Sequence, residues 1–345
     1  MKTALVTGYS GQDGTFLTRL LLEKGYQVVA IGRRISTEPP MRVRGRFNFV
    51  KEIDSGQLKL VEGDLLSSAS LINIIREHQP HEIYNLASQS HVGRSFYEPE
   101  STIESNLIGV INLVTALEAV GGDDWRMYQA STSEMFGDTD PGEGFDENSE
   151  FDPKSPYAIA KAAAHQYCKM KREQGRFIAC GILFNHESEI RGGDFVTQKI
   201  VRGVNNIMQA YQEATEPLPV LELGNLDSAR DWGYAGDYVE AMHLMLQQTK
   251  PDDFVVGTGT SHTVREFVEM TFDCHNRNIT WKGEGTEERG YIGGEVVVRV
   301  SDKYYRPNDV TQLKANPKRA HEVLGWYAKH TLNEIIDKMV MEAPH

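Results

Sequence analysis

Short apolar runs, each closed by a glycine or polar turn and followed by residues with helical spacing, recur through the first half of the chain. Thr3–Thr7 is the first run. Phe16, Leu17, Leu20 and Leu21 then mark a helix ending at Gly25, and residues 27–31 form the next apolar strand. Further strands are predicted at 58–62, 82–87, 125–130 and 177–184, with helical patterns over 70–78 and about 102–119. Strands alternating with helices at this rhythm predict an α/β fold with a Rossmann-like, doubly wound parallel sheet. Ligands in such sheets bind at the carboxyl ends of the strands. The rhythm changes after residue 184. Residues 220–224 and 254–257 read as strands, some returning to the sheet; 281–294 reads as a variable loop, and 332–341 as a helix. The expected organisation is a large domain over 1–184, with sheet segments returning from about 220–260. A smaller α/β C-terminal substrate domain over 185–345 interleaves with it.

Composition narrows the function classes. A formal net charge of −13 argues against a nucleic-acid partner. The three cysteines, Cys168, Cys180 and Cys274, are too widely spaced in sequence to suggest a disulfide framework or a metal site. The opening residues MKTALVTGYSG read as a strand and turn rather than a signal peptide. No apolar run approaches the ~20 residues of a membrane span. The expectation is a soluble, cytoplasmic protein with neither nucleic acid nor membrane as partner.

Candidate chemistry falls at the predicted strand ends. Gly8, Gly11 and Gly14, with Gln12 and Asp13 between them, form a turn linking the first strand to the first helix. Such glycines allow a pyrophosphate to approach a helix N-terminus closely. The second strand ends in Arg33-Arg34, where an acidic residue would bind a ribose 2′-hydroxyl; arginines suit the 2′-phosphate of NADP. Asp64 and Leu65 follow the third strand. The 86–90 segment, with Ala87, Ser88 and Gln89, is placed to line adenine and ribose, and Ser90 is offered to the substrate. Asn106, polar within an apolar helix, is expected to satisfy a backbone group. Tyr157 and Lys161 stand four residues apart, on one helix face. A lysine beside a phenol is expected to lower its pKa and make Tyr157 a proton acceptor. Thr132 and Glu134 follow the 125–130 strand and complete an acid/base set with that pair.

TGxxGxxG at 7–14, the STSE strand end and YxxxK resemble the extended short-chain dehydrogenases/reductases. Within that superfamily, EIYNLASQSHV at 82–92, YQASTSEMFG, SPYAIAK, GILFNHES at 181–188, FVTQKI at 195–200, GNLDSARDWG and YYRP at 304–307 resemble the GDP-mannose 4,6-dehydratase family, nearly end to end. The resemblance implies an internal redox dehydration of GDP-mannose through bound NADP, with Glu134 as the group that permits elimination. It places His186 and Arg191 near the cofactor and Asn185 and Lys199 near the sugar nucleotide. Arg230 and Arg306, in RDWG and YYRP, match the family and suit a diphosphate clamp. It also implies a homodimer or homotetramer. The chain departs from the family at Glu189-Ile190-Arg191, in the 37–44 loop that supports a tetramer there, and at Asn308-Asp309. Three alternatives stay open: the same reaction on another GDP-hexose or a GDP-heptose, an NADP-dependent nucleotide-sugar reductase or epimerase that Glu134 argues against, and an NADP-sensing binding protein.

Overall fold

Five buried residues, Thr3–Thr7 (β1), occupy the middle of the main sheet of the computed structural model, which describes residues 1–33, 48–138, 142–304 and 311–342. The other strands are Gln27–Gly32 (β2), Leu58–Glu62 (β3), Glu82–Asn85 (β4), Arg126–Thr132 (β5), Phe177–Leu183 (β6) and Asp253–Val256 (β7). All seven run parallel, in the order β7-β6-β5-β4-β1-β2-β3. The order reverses between β1 and β4, which opens a crevice at their carboxyl ends.

Alternating side chains of β1 serve two cores. Ala4 and Val6 pack with Leu17 and Leu21 of helix Gln12–Glu23 (α1). Leu5 packs on the other face with Leu71 of Ser68–His78 (α2) and Leu113 of Pro99–Val120 (α3). Helix Pro156–Glu173 (α4) joins that second face through Ala164 and Cys168. Each fully buried aliphatic side chain stabilises by ~1.5–3 kcal/mol. At the carboxyl ends a polar row is buried instead. Thr7 Oγ1 donates to Asn85 Oδ1 at 2.7 Å, and Asn85 Nδ2 donates to Gln129 Oε1 at 2.8 Å. Thr7 Oγ1 also accepts from Leu86 and Ala87 N–H at 3.1 Å, which aims the 86–90 segment across the crevice.

A third core lies between helices Val196–Gln212 (α5), Val264–Asp273 (α6) and Leu332–Glu342 (α7) and a small four-stranded sheet. Leu221–Leu223 belongs to that small sheet, paired with Glu295–Val300, so only 253–256 of the expected returning segments joins the main sheet. Leu221 and Leu223 turn into this third core, whereas the 253–256 strand extends the main sheet beside Cys180–Leu183. The 281–294 stretch is not a loop: Thr280–Lys282 and Arg289–Ile292 are antiparallel strands. Two short pairings join the halves, Asn185–Glu187 with Trp232–Tyr234 and Ala229–Arg230 with His262–Thr263. Helix α3 is 22 residues long and apolar enough by length and composition to cross a membrane, contrary to the sequence expectation; it packs beside α2 and α4 against the sheet.

Candidate active site

Helix α4 starts where the chemistry is needed. Ser155 caps it by accepting from Ala158 N–H at 3.1 Å, and Pro156 fits the first turn. Tyr157 and Lys161 follow, only 8% and 4% exposed. Lys161 Nζ donates to Ala130 O at 2.9 Å and lies 5.9 Å from the Tyr157 ring centre. Strand β5 ends at Thr132, whose Oγ1 accepts from Glu134 N–H at 3.3 Å and starts the 3-10 turn Ser133–Phe136. Met135 and Phe136 are fully buried, Phe136 stacking on Phe145 at 4.6 Å. They anchor the turn and leave half-buried Glu134 at the cavity wall.

The electrostatics correct the sequence expectation of a lowered phenol pKa. Burial pushes Tyr157 up to about 12; its hydrogen bond with Thr132 lowers it in part, and Glu134 raises it further. Lys161 does not offset this, because its ammonium is committed to a carbonyl and is itself buried. Burial brings Lys161 down to about 8, with Asp13 opposing.

The glycine turn has the shape a pyrophosphate requires. A Cβ on Gly14 would lie 2.3 Å from Gly8 O, and one on Gly8 (φ +69°) would lie 2.8 Å from Ala87 N. Backbone therefore packs on backbone at the start of α1, leaving a cradle at a helix N-terminus. Gln12 and Asp13 brace this turn with their side chains. Gln12 Nε2 donates to His186 O at 3.0 Å, and its Oε1 accepts from Ser188 Oγ at 2.7 Å. Asp13 pairs with His186 Nε2 at 2.9 Å. Burial raises the Asp13 pKa, but His186, Gln12 and Arg191 outweigh it and hold the carboxyl at about 2. His186 is raised: burial opposes its charge, Asp13 favours it, and its Nδ1 donates to Phe184 O at 2.7 Å. His186 thus acts as a brace between the turn and the 185–187 strand. Asn106 does what its polarity implied: Oδ1 accepts from Gln89 N–H at 2.8 Å, and Nδ2 donates to Gln89 O at 2.9 Å. Asp64 Oδ1 accepts from Leu66 N–H at 2.9 Å. Arg33, exposed at the end of β2, faces the same crevice.

One cavity of roughly 1670 Å³ is lined by every sequence-predicted site residue within the described part of the chain, from Gly8 and Arg33 to Ser90, Asn185, Lys199 and Arg230. Arg34, Arg306 and the 37–44 loop lie outside the described residues. In the substrate half, Lys199 Nζ sits 3.2 Å above the Tyr304 ring centre. Arg191 stacks on Phe195 at 3.6 Å and pairs with Glu187 at 3.0 Å. Buried Arg230 donates from Nη1 to Ala229 O at 3.0 Å. The sequence did not single out Phe195, Tyr304 or Glu187. Tyr304 lies inside the YYRP motif and Phe195 opens the FVTQKI motif, so in both only the stacking on a cation was hidden.

A family model described as GDP-mannose 4,6 dehydratase matches residues 5–339. A Drosophila melanogaster GDP-mannose 4,6 dehydratase is 44% identical over 343 residues, covering 98% of this chain and 85% of that protein. A Vibrio cholerae GDP-mannose 4,6-dehydratase is 40% identical, covering 99% and 93%. Among solved structures, the UDP-glucose 4-epimerase of Thermus thermophilus, in complex with NAD, has a TM-score of 0.78 at 24% identity, covering 99% of this chain and 98% of that one. The dTDP-glucose 4,6-dehydratase of Bacillus anthracis, also with NAD, scores 0.77 at 17% identity, covering 99% and 96%. These two likenesses speak for the fold.

Proposed function

Because the chain belongs to the GDP-mannose 4,6 dehydratase family, we propose that it converts GDP-D-mannose to GDP-4-keto-6-deoxy-D-mannose, with NADP as its hydride carrier. The observation that carries the proposal is Glu134. A Tyr–Lys pair beside a glycine turn suits a reductase; a carboxylate on the same cavity wall adds the means to eliminate water. NADP bound in the crevice would supply a reversible hydride acceptor, so that oxidation at C4 and reduction at C6 leave no net change in cofactor. Arg33 at the end of β2, where NAD enzymes of this architecture carry an acid, supports NADP over NAD.

The residues then divide the proton chemistry. Tyr157 Oη would take the 4-hydroxyl proton as the phenolate, a form that burial alone disfavours and that a cationic nicotinamide bound beside it would favour, and Thr132 Oγ1 hydrogen-bonds the 4-oxygen. Lys161 fixes the Tyr157 side of the cavity through Ala130 O. Glu134 removes the C5 proton, acidified by the 4-ketone, and returns a proton to the departing 6-hydroxyl, which leaves as water; the proton taken up by Tyr157 then goes to C5 as C6 is reduced, which restores both residues. The Asp13–His186 brace holds the glycine turn against the strand carrying Asn185. Lys199 and Arg230 carry the positive charge that a sugar-nucleotide diphosphate requires.

Replacing Glu134 by Gln tests the assignment. The variant is expected to load NADP and GDP-mannose normally and to lose water-elimination by ~10²–10⁴-fold. A normal yield of the 6-deoxy product would remove Glu134 from the mechanism. The same proposal places the enzyme in the cytoplasm as a homo-oligomer. Ile103 and Ile108 on α3, with Ile159 and Met170 on α4, are 38–51% exposed on one side of the sheet and suit helix-to-helix contact with a second copy.

A further inference from the structure

Behind the cavity wall, residues the proposed chemistry does not use come together. His165, Cys180 and Asp253 bring ligand atoms within 4.8 Å of one another, all buried, although the sequence spacing of the cysteines suggested no such cluster. The cluster already holds its cation: Arg172 Nη2 donates to Asp253 Oδ1 and, at 3.6 Å, to Cys180 Sγ. A metal ion would have to displace that guanidinium.

His165 links this cluster to the cavity wall through Ser131. It stands one helical turn beyond Lys161 and two beyond Tyr157 on α4. Its Nδ1 lies 2.9 Å from Ser131 Oγ, and its Nε2 lies 3.6 Å from Asp253 Oδ2. Ser131 is 5% exposed and lines the cavity next to Thr132. One face of α4 therefore grips the end of β5 at successive residues, with Lys161 on Ala130 O and His165 on Ser131 Oγ. The Phe151 ring packs edge-on against the imidazole at 5.2 Å and closes that side.

We infer that His165, oriented by Asp253, is a positioning residue for the dehydration: it holds Ser131 Oγ, fixes the strand end that carries Thr132, and directs the remaining hydrogen bond of Ser131 into the cavity. The inference rests on the dehydratase function proposed above. Burial disfavours a charged imidazole, but the Asp253 carboxylate beside Nε2 favours it and raises the pKa. Nδ1–H then donates to Ser131 Oγ, and the Ser131 O–H is left to donate toward the substrate side.

The test measures kcat, KM for GDP-mannose and bound NADP per chain in wild type, H165N, H165F, S131A and the double variant H165F/S131A. H165F and S131A are each expected to lower kcat by about tenfold or more, with KM and cofactor content unchanged, and the double variant to lose no more than the stronger single one. H165N keeps a polar group near the Nδ1 position and is expected to stay within about threefold of wild-type kcat. Wild-type kcat in S131A overturns the inference, and so does H165N failing as badly as H165F or a loss confined to cofactor content. H165N and S131A keep the test decisive if H165F does not fold. A wild-type protein that leaves GDP-mannose unchanged would bring down the dehydratase function itself, a different outcome from an active wild type with an indifferent S131A.

Discussion

Lys161 is a buried ammonium with one carbonyl, Ala130 O, to receive it. Desolvation therefore decides its titration: the pKa falls from 10.5 to about 8. Between those values the unfolded chain binds more protons at this site than the folded one, so Lys161 makes stability rise with pH across that window. Below about 8 both states are protonated and the penalty is constant. Wild type is thus expected to gain roughly 3 kcal/mol relative to Lys161→Met between pH 8 and 10.5, measured by urea unfolding of both proteins at each pH. The other buried tyrosines and carboxylates contribute equally to both and cancel. A pH-independent difference would show that Lys161 keeps an ordinary pKa. The spacing of Tyr157 and Lys161 was legible in the sequence because it follows from helical geometry. The direction of the tyrosine shift was not, because burial and the lysine's choice of Ala130 O depend on the packed strand.

Helix α3 carries its one conspicuous polar residue through a π turn at Glu104–Ile108, with Asn106 at its centre. The wider turn presents Asn106 to the backbone of Gln89 and to Ser88 Oγ at 3.0 Å, and so shapes the loop that lines the crevice. Asn106→Ala leaves those groups without a protein partner. It is expected to lower stability by about 1–3 kcal/mol and to weaken NADP binding, read by thermal unfolding and by cofactor titration. Unchanged values for both would mean that the loop holds its shape without Asn106. The polarity of Asn106 showed in the sequence, but the π turn did not, since its partner loop lies 17 residues upstream. The same limit explains the strands that were misplaced. A three-residue strand such as Leu221-Glu222-Leu223 does not name its partner, and the glycines at 283, 285, 290, 293 and 294 made the Thr280–Ile292 hairpin read as a loop.

Across the whole molecule, local rules made the first half readable: apolar strands, a glycine turn dictated by backbone approach, and a helix start marked by Ser155-Pro156. The braces that hold the site together were not readable. Asp13 meets His186 across 173 residues, and His165 meets Asp253 on the edge strand, each joined only by the finished sheet. If the exposed isoleucines of α3 and α4 pair two copies, Ile108→Glu with Ile159→Glu is expected to shift sedimentation from an oligomer to a monomer. Unchanged sedimentation would move the interface elsewhere. The most direct test of the central claim is mass spectrometry of GDP-mannose incubated with the purified protein and catalytic NADP, with absorbance followed for NADPH. The expected result is a product lighter by one water with no net NADPH. GDP-mannose recovered unchanged, or NADPH accumulating in step with an oxidised sugar that keeps its water, would contradict an internal-redox dehydratase.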